Sequence, residues 1–294
     1  MKISSPKTRA YQAACMILIV ILALLFIFPL YWILTGAFKT AADIYNPDPS
    51  WIPKEWTLDN FGKLFSRRPV PLFTIFGVTG PTVPGAVRWL INTVFMAVMS
   101  MLLTCLTAAM AGYSLAKKRF AGRAILFSLI VCAMALPKQV ILIPLLKEMS
   151  ILNLNDSLWA VIFPTVGWPF GVFLMKQFSE SIPGEILEAT RIDGASEAKT
   201  FVTVVLPMVK PGIGALAIFT FINAWNDYFM QLVMLTSGEN FTISLGIATL
   251  QAETTIDMGL LMAGAALASV PIITVFLLFQ KYFTQGITMG AVKG

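Results

Sequence analysis

Ser181–Pro211 reads S-I-P-G-E-I-L-E-A-T-R-I-D-G-A-S-E-A-K-T-F-V-T-V-V-L-P-M-V-K-P, the one polar island in the hydrophobic second half of the chain. Glu180, Glu185, Glu188, Asp193 and Glu197 sit in or beside it, with Arg191, Lys199 and Lys210. Apolar runs long enough to cross a bilayer flank it on both sides. Pro183 suits a first helical turn, where its missing N–H removes nothing. Ile186, Ala189, Ile192, Ala195, Ala198 and Phe201/Val202 recur every three or four residues, which is one face of a helix. Glu185, Glu188, Arg191 and Lys199 fall largely off that face. Gly194 interrupts the run and marks a turn or close contact, and Pro207 and Pro211 close it. The stretch predicts a helix–turn–helix on the cytoplasmic side, offered to a partner.

The composition agrees with the flanks. Of 294 residues 57% are hydrophobic and 12% charged, with mean hydropathy +0.79. Soluble domains carry about 25% charged residues, so lipid is the solvent for much of this surface. The net charge of +6 does not point to nucleic acid, because the basic residues lie at the ends of apolar runs. Cys15, Cys105 and Cys132 are odd in number and sit in apolar segments, so they read as buried free thiols. With no histidine, the commonest general base and metal ligand is missing.

Working outward, the hydropathy predicts an all-α polytopic membrane protein with six transmembrane helices and both termini cytoplasmic. Residues 1–10 form a short basic N-terminus, with Lys2, Lys7 and Arg9. The run Tyr11–Ala37 is too long for a signal-peptide core and no small-residue cleavage site follows, so it reads as a retained first span, kinked at Pro29. An outer loop follows at 38–88, in which 57–65 predicts a short threonine-capped helix. Its Pro- and Gly-rich part, 69–87, either packs on the outer mouth or is an insertion without a specific role. Further spans are expected at 89–115, 124–146, 158–175, 213–235 and 258–283. The fourth holds Pro164, Gly167, Pro169 and Gly171 and should be broken or bent. The six-helix domain thus covers 11–283, with a cytoplasmic loop at 176–212 and a cytoplasmic tail at 284–294. Lys117, Lys118, Arg119 and Arg123 cluster after the second span, which sets that end inside.

Candidates for chemistry are few. The chain has no G-x-x-x-x-G-K-[ST] phosphate loop and no nucleophile–base, paired-carboxylate or metal constellation. No enzyme activity is therefore expected of it, and if ATP drives it another polypeptide hydrolyses the ATP. Polar residues within spans are costly in lipid unless they face a cavity or a partner. Asn223, Asn226 and Asp227 share one helical face in F-I-N-A-W-N-D-Y-F, flanked by Trp225 and Tyr228. Their amide and carboxylate groups can bond sugar hydroxyls while the rings stack on sugars, or the asparagines can bond a neighbouring helix. Lys138 can point into a translocation path or snorkel toward the outer interface, the second being favoured.

The spacing within the polar island carries a resemblance. Glu188-Ala189-Thr190, then three residues, Gly194, nine residues, and Val204-x-Leu206-Pro207 resembles the E-A-A-x3-G-x9-I-x-L-P loop of importer permeases in the ATP-binding-cassette (ABC) superfamily. Thr190 and Val204 depart from it, both by small changes. Trp225-Asn226-Asp227, Leu136-Pro137, Ile143-Pro144, Pro29-Leu30-Tyr31-Trp32, Phe38-Lys39 and the ending Gly286-Ile287-x-x-Gly290-Ala291-Val292-Lys293-Gly294 look like the carbohydrate branch, specifically the second permease of the maltose type. The resemblance implies the ABC type I importer permease fold in a bacterial cytoplasmic membrane. It implies that Glu185, Glu188, Ala189, Arg191, Asp193, Gly194, Ala195 and Pro207 couple the chain to an ATPase. Asn223, Trp225, Asn226 and Asp227 would line the substrate path, and Lys293 and Gly294 would reach the ATPase pair. The implied partners are a sister permease, two ATPase subunits, an extracytoplasmic solute-binding protein, a sugar and membrane lipid. This chain would bind no cofactor itself, ATP and Mg lying on the partner subunit. Rival readings are a permease for a non-sugar such as a glycerol phosphodiester, an ion-driven secondary transporter, and a membrane scaffold without substrate.

Overall fold

The computed structural model describes residues 6–75, 78–253 and 257–291, with side chains at 11–74, 78–252 and 257–280. The chain divides into two units: 1–67 with 247–269, and 68–246 with 270–294.

In the first unit, α1 (Pro6–Gly36) runs unbroken through Pro29. α2 (Ala41–Ile44) follows, capped by Thr40, and then α3 (Asp59–Ser66). The predicted threonine cap of α3 is present in altered form. Leu58 is the cap residue, and the Thr57 hydroxyl accepts the Asp59 N–H from one position earlier. The connection between α2 and α3 is ordered by buried polar groups. The Asp43 carboxylate accepts the Ser50 hydroxyl at 2.6 Å and the Lys54 N–H at 3.2 Å. Asn60 donates to the carbonyls of Ala37 and Lys39 at 3.1 and 2.8 Å.

The second unit begins with a departure from the all-α expectation. Four two-residue strands, β1 (Val70–Pro71), β2 (Thr74–Ile75), β3 (Val78–Thr79) and β4 (Thr82–Val83), pair antiparallel as β1–β4 and β2–β3. Hydropathy could not show this, since two-residue strands leave no alternation to read. The long helix α4 (Gly85–Lys117) is the axis of the unit. Its buried side includes Ala97, Ser100, Thr104, Ala108 and Gly112, small residues that let neighbouring helices approach closely. Then come α5 (Arg123–Ala133), α6 (Lys138–Ile151), α7 (Leu158–Val166) and α8 (Pro169–Glu180). α4 packs on α7, α8 and α12 (Lys210–Asn226). A Cβ on Gly112 would stand 2.6 Å from Lys176 N and Met175 C, so only glycine fits between α4 and α8 there. Polar contacts join the same helices: Thr104 Oγ1 donates to the Thr165 carbonyl at 3.1 Å and Ser100 Oγ meets Thr165 Oγ1 at 3.2 Å.

Between α8 and α12 lie α9 (Gly184–Ile192), α10 (Glu197–Thr200), a π-helical turn (Phe201–Val205) and α11 (Leu206–Met208). α13 (Tyr228–Met234) follows α12 after one residue. Two further helices, α14 (Ile243–Glu253) and α15 (Met258–Ala291), complete the chain. The interval between the expected spans 213–235 and 258–283 thus contains an eleven-residue helix, and α15 continues past the expected end at 283. Lys293 and Gly294 lie outside the described residues.

Tyr11–Gly36, Gly85–Lys117 and Met258–Gln280 are long and apolar enough to cross a membrane. Three bent pairs qualify together: Arg123–Ala133 with Lys138–Ile151 at 108°, Leu158–Val166 with Pro169–Glu180 at 40°, and Glu197–Met208 with Lys210–Asn226 at 78°. Among the described residues, spans therefore number three, or up to six if each pair crosses once. The expected third span is not one straight helix, because Pro137 cannot continue α5. The expected break in the fourth falls at Gly167–Trp168, just before Pro169.

Candidate functional site

Two groups of sequence-marked residues lie in the second unit. The first is the polar loop, which is a helix–turn–helix as its spacing predicts. α9 ends at Ile192, Gly194 turns the chain with φ +75°, and Ser196 caps α10 by accepting the Lys199 N–H. A positive φ is strained for residues with a Cβ, which accounts for the glycine. Pro183 stands one residue before the first helical turn, as the cap residue of α9.

The periodicity marks a different face from the one the chain itself buries. Ile182, Leu187, Val205 and Val209 are buried, packed in one cluster with Tyr113, Met175 and Leu216. Ile186, Ala189, Ile192 and Val202 of the periodic stripe are exposed, Ile192 by 87%. An amphipathic pattern records that a face is apolar; it does not say which molecule covers it.

Side chains from the end of α4 hold the loop. Lys117 Nζ donates to the carbonyls of Glu180 at 3.0 Å and Ile182 at 2.6 Å. Lys118 pairs with Glu197, whose other oxygen takes Arg191 Nη2 at 3.3 Å. The hydrogen bond from Lys118 is the main reason the Glu197 carboxyl lies below its ordinary pKa, slight burial opposing it. Glu185, Glu188, Ala189, Arg191, Asp193, Gly194 and Pro207 are exposed and Ala195 is half-buried. Sequence reasoning did not single out Glu197 or Lys118 as a pair. Opposite charges 79 positions apart leave no local pattern.

The second group surrounds a cavity of ≈ 420 Å³. Its wall is made where three helices are interrupted: α5 to α6 (Met134, Leu136, Lys138), α7 to α8 (Gly167, Trp168, Pro169), and α12 to α13 (Asp227, Met230). Irregular backbone at membrane depth is tolerated where it is covered by protein or lines a cavity, and broken helices mark binding sites in transporters. One freed carbonyl is satisfied internally. Buried Gln231 donates to the Ala224 carbonyl at 3.1 Å across the α12–α13 break and accepts from Thr242.

The span-five candidates separate here. Asn223 and Asp227 line the cavity. Asp227 is not on the helical face shared by Asn223 and Asn226, since α12 ends at Asn226 and Asp227 caps α13 through Met230 N at 3.4 Å. Trp225 is buried against Ala97, Ala224 and Phe221, its ring stacked on Phe221 at 5.5 Å, and is not on the cavity wall. Asn226 is exposed, donating back to the Ile222 carbonyl at 2.9 Å. Aromatic surface at the cavity comes instead from Trp168 and Phe170. Lys138, expected to snorkel, is on the wall and paired with Asp227 at 3.2 Å. Thr220 is a wall residue the sequence reading missed; it is 2% exposed, and its hydroxyl has no hydrogen-bond partner among the described residues. A threonine inside an apolar run gives no sign of its surroundings. Among the described residues no group of His, Cys, Asp and Glu is arranged to hold a metal.

Residues 104–289 match the family described as binding-protein-dependent transport system inner membrane component. The arabinooligosaccharides transport system permease protein AraQ of Bacillus subtilis is 32% identical, over 99% of this chain and 99% of that protein. The maltodextrin transport system permease protein MdxG of the same organism is 31% identical over 93% of each. Among solved structures, a chain of a bacterial ABC transporter involved in the import of the acidic polysaccharide alginate superposes with TM-score 0.77. It covers 96% of this chain and 100% of that one, at 21% identity, and shares the fold.

Proposed function

Since the chain belongs to the family of binding-protein-dependent transport system inner membrane components, we propose that it is the permease subunit of an importer for a sugar or oligosaccharide. It is a multi-pass protein of the inner membrane with the ABC type I permease fold. The reading takes α5–α6 and α7–α8 each as one crossing and, of the third bent pair, α12 alone as the crossing, with α9, α10 and α11 on the cytoplasmic side; that gives six spans with both termini cytoplasmic. A sister permease, two ATPase subunits carrying ATP and Mg, and an extracytoplasmic solute-binding protein complete the machine. The similarity to permeases named for arabinooligosaccharides and maltodextrin supports sugar as the substrate class.

One observation carries the coupling role: α9 and α10 expose an apolar stripe while their other side is bonded into the bundle. The stripe, with Glu185, Glu188, Ala189, Arg191, Asp193, Gly194, Ala195 and Pro207 around it, is the surface offered to the ATPase. Closure of the ATPase pair displaces α9. Lys117 and the Lys118–Glu197 pair pass that displacement to the end of α4. α4 packs on α7, α8 and α12, whose interruptions line the cavity. Docking can drive this change only by being tighter in one ATPase state than in the other. Asn223 and Asp227 belong to the substrate path on this reading.

Glu188→Lys and Gly194→Asp test it. At matched membrane levels both should abolish ATP-dependent sugar uptake and co-purification of the ATPase. Wild-type uptake in either variant would overturn the coupling role.

A further inference from the structure

The wall of the cavity carries an unusual set of polar groups. Lys138 opens α6 immediately after the 108° bend, and Asp227 sits in the single-residue gap between α12 and α13. Their side chains meet at 3.2 Å, Lys138 half-exposed and Asp227 mostly covered. Neither is saturated. Lysine has three N–H donors and a carboxylate about four acceptor positions; among the described residues one donor is used, and Asp227 adds the Met230 N–H. Asn223 donates to the Phe219 carbonyl at 3.0 Å, which leaves its Oδ1 as a further acceptor. Among the described residues the hydroxyl of Thr220, nearly fully buried on the same wall, meets no hydrogen-bond partner. A buried hydroxyl left unsatisfied is destabilising unless another group completes it. Trp168 and Phe170 add ring surface, their centroids 5.0 Å apart.

We propose that this cavity is a binding site for one neutral sugar ring, with Lys138, Asp227, Asn223 and Thr220 as its specificity-determining residues. The inference rests on the reading of the chain as a sugar permease and names the class of sugar. Each ring hydroxyl can both donate and accept. One donates to an Asp227 oxygen while its neighbour accepts from Lys138, so a vicinal diol fits the pair without separating it. Asn223 Oδ1 accepts from a third hydroxyl, rotation of the enclosed Thr220 side chain about χ1 brings its hydroxyl to the same group, and the apolar ring face rests on Trp168 or Phe170. The paired charges sum to zero, which favours a neutral ligand. A uronate carboxylate would compete with Asp227 for Lys138 and bring two negative charges together in a site of low dielectric constant. An ammonium sugar would meet the mirror-image penalty at Lys138.

The assembled transporter in lipid nanodiscs, without its binding protein, gives the test by equilibrium binding of neutral trisaccharides (maltotriose, arabinotriose) and trigalacturonate. Wild type should bind a neutral probe and discriminate against trigalacturonate. Thr220→Val should weaken neutral binding about 2- to 10-fold, the range of one hydrogen bond, and Thr220→Ser should restore it. Asp227→Asn leaves Lys138 an unpaired cation and should shift preference toward trigalacturonate by roughly 10-fold. A merely structural Asp227 would not produce that reversal. If wild type binds a neutral probe and both Thr220→Val and Asp227→Asn keep its affinities, this inference fails alone. If wild type takes neither neutral trisaccharide in binding or uptake but imports a non-sugar, the sugar reading fails and this inference with it.

Discussion

The carboxylate of Asp156 accepts the backbone N–H groups of Thr236 and Ser237 at 2.7 and 2.9 Å, and the Ser237 hydroxyl as well, from a residue whose own φ is +52°. It ties the α6–α7 connection to the chain that follows α13. The carbonyl of Asp156 takes the Asn240 amide at 2.6 Å. That segment in turn receives Trp89 Nε1 at Gly238 O and the Asn92 amide at Glu239 O. Burial raises the Asp156 pKa, but the Ser237 hydroxyl and the Ser237 and Thr236 N–H donors outweigh it and hold the carboxyl below its ordinary value.

Asp156→Ala should therefore lower the unfolding free energy of the solubilised protein by about 2 kcal/mol, the loss of charge-assisted hydrogen bonds. The sign with pH follows from the direction of the shift. A depressed carboxyl stabilises fully above its unfolded value, near 3.9, and progressively less as pH falls through the lower folded value. Thermal unfolding of wild type and Asp156→Asn should converge as pH drops through that window. A stability gap that stays constant on acidification would contradict the assignment.

Helix packing around α4 makes a second prediction. A methyl on Gly112 would collide with backbone atoms of Met175 and Lys176, which cannot swing aside. Gly112→Ala should destabilise by about 1–3 kcal/mol and reduce the amount of folded protein in detergent. Gly62→Ala, where nothing lies within 4 Å of the added carbon, should be neutral or slightly stabilising. Equal behaviour of the two in a size-exclusion thermal challenge would sink the close-approach argument.

The Lys118–Glu197 tether should separate transport from stability. Both side chains reach solvent, at 28% and 60% exposure, and such pairs contribute about 0–1 kcal/mol. Glu197→Gln should leave the melting temperature nearly unchanged yet lower ATP-coupled uptake, because the loop loses its link to the end of α4. The double exchange Lys118→Glu with Glu197→Lys should recover part of the uptake. Uptake in Glu197→Gln equal to wild type would remove the tether from the coupling path.

By itself the sequence determined what depends on local order along the chain. Hydropathy set the solvent, and the run of 181–211 set a helix, a glycine turn and a second helix. The spacing from Glu188 to Pro207 indicated the family. Each of these is a property of neighbours a few residues apart, held by backbone hydrogen bonds and transfer free energy. Tertiary structure alone decided which faces meet. The stripe through Ile186 and Ile192 is exposed while Leu187 is buried, because burial needs a covering element and the chain supplies one only for the Leu187 side. Trp225 and Asn223 lie two positions apart, yet one joins the core beside Ala97 and the other the cavity wall, since rotation of α12 about its axis is set by its packing on α4. Lys138 finds Asp227 across 89 positions, and Thr220 is orphaned by what surrounds it rather than by what flanks it. Convergence of three helix interruptions on one cavity is a long-range arrangement, and no local pattern in the chain encodes it.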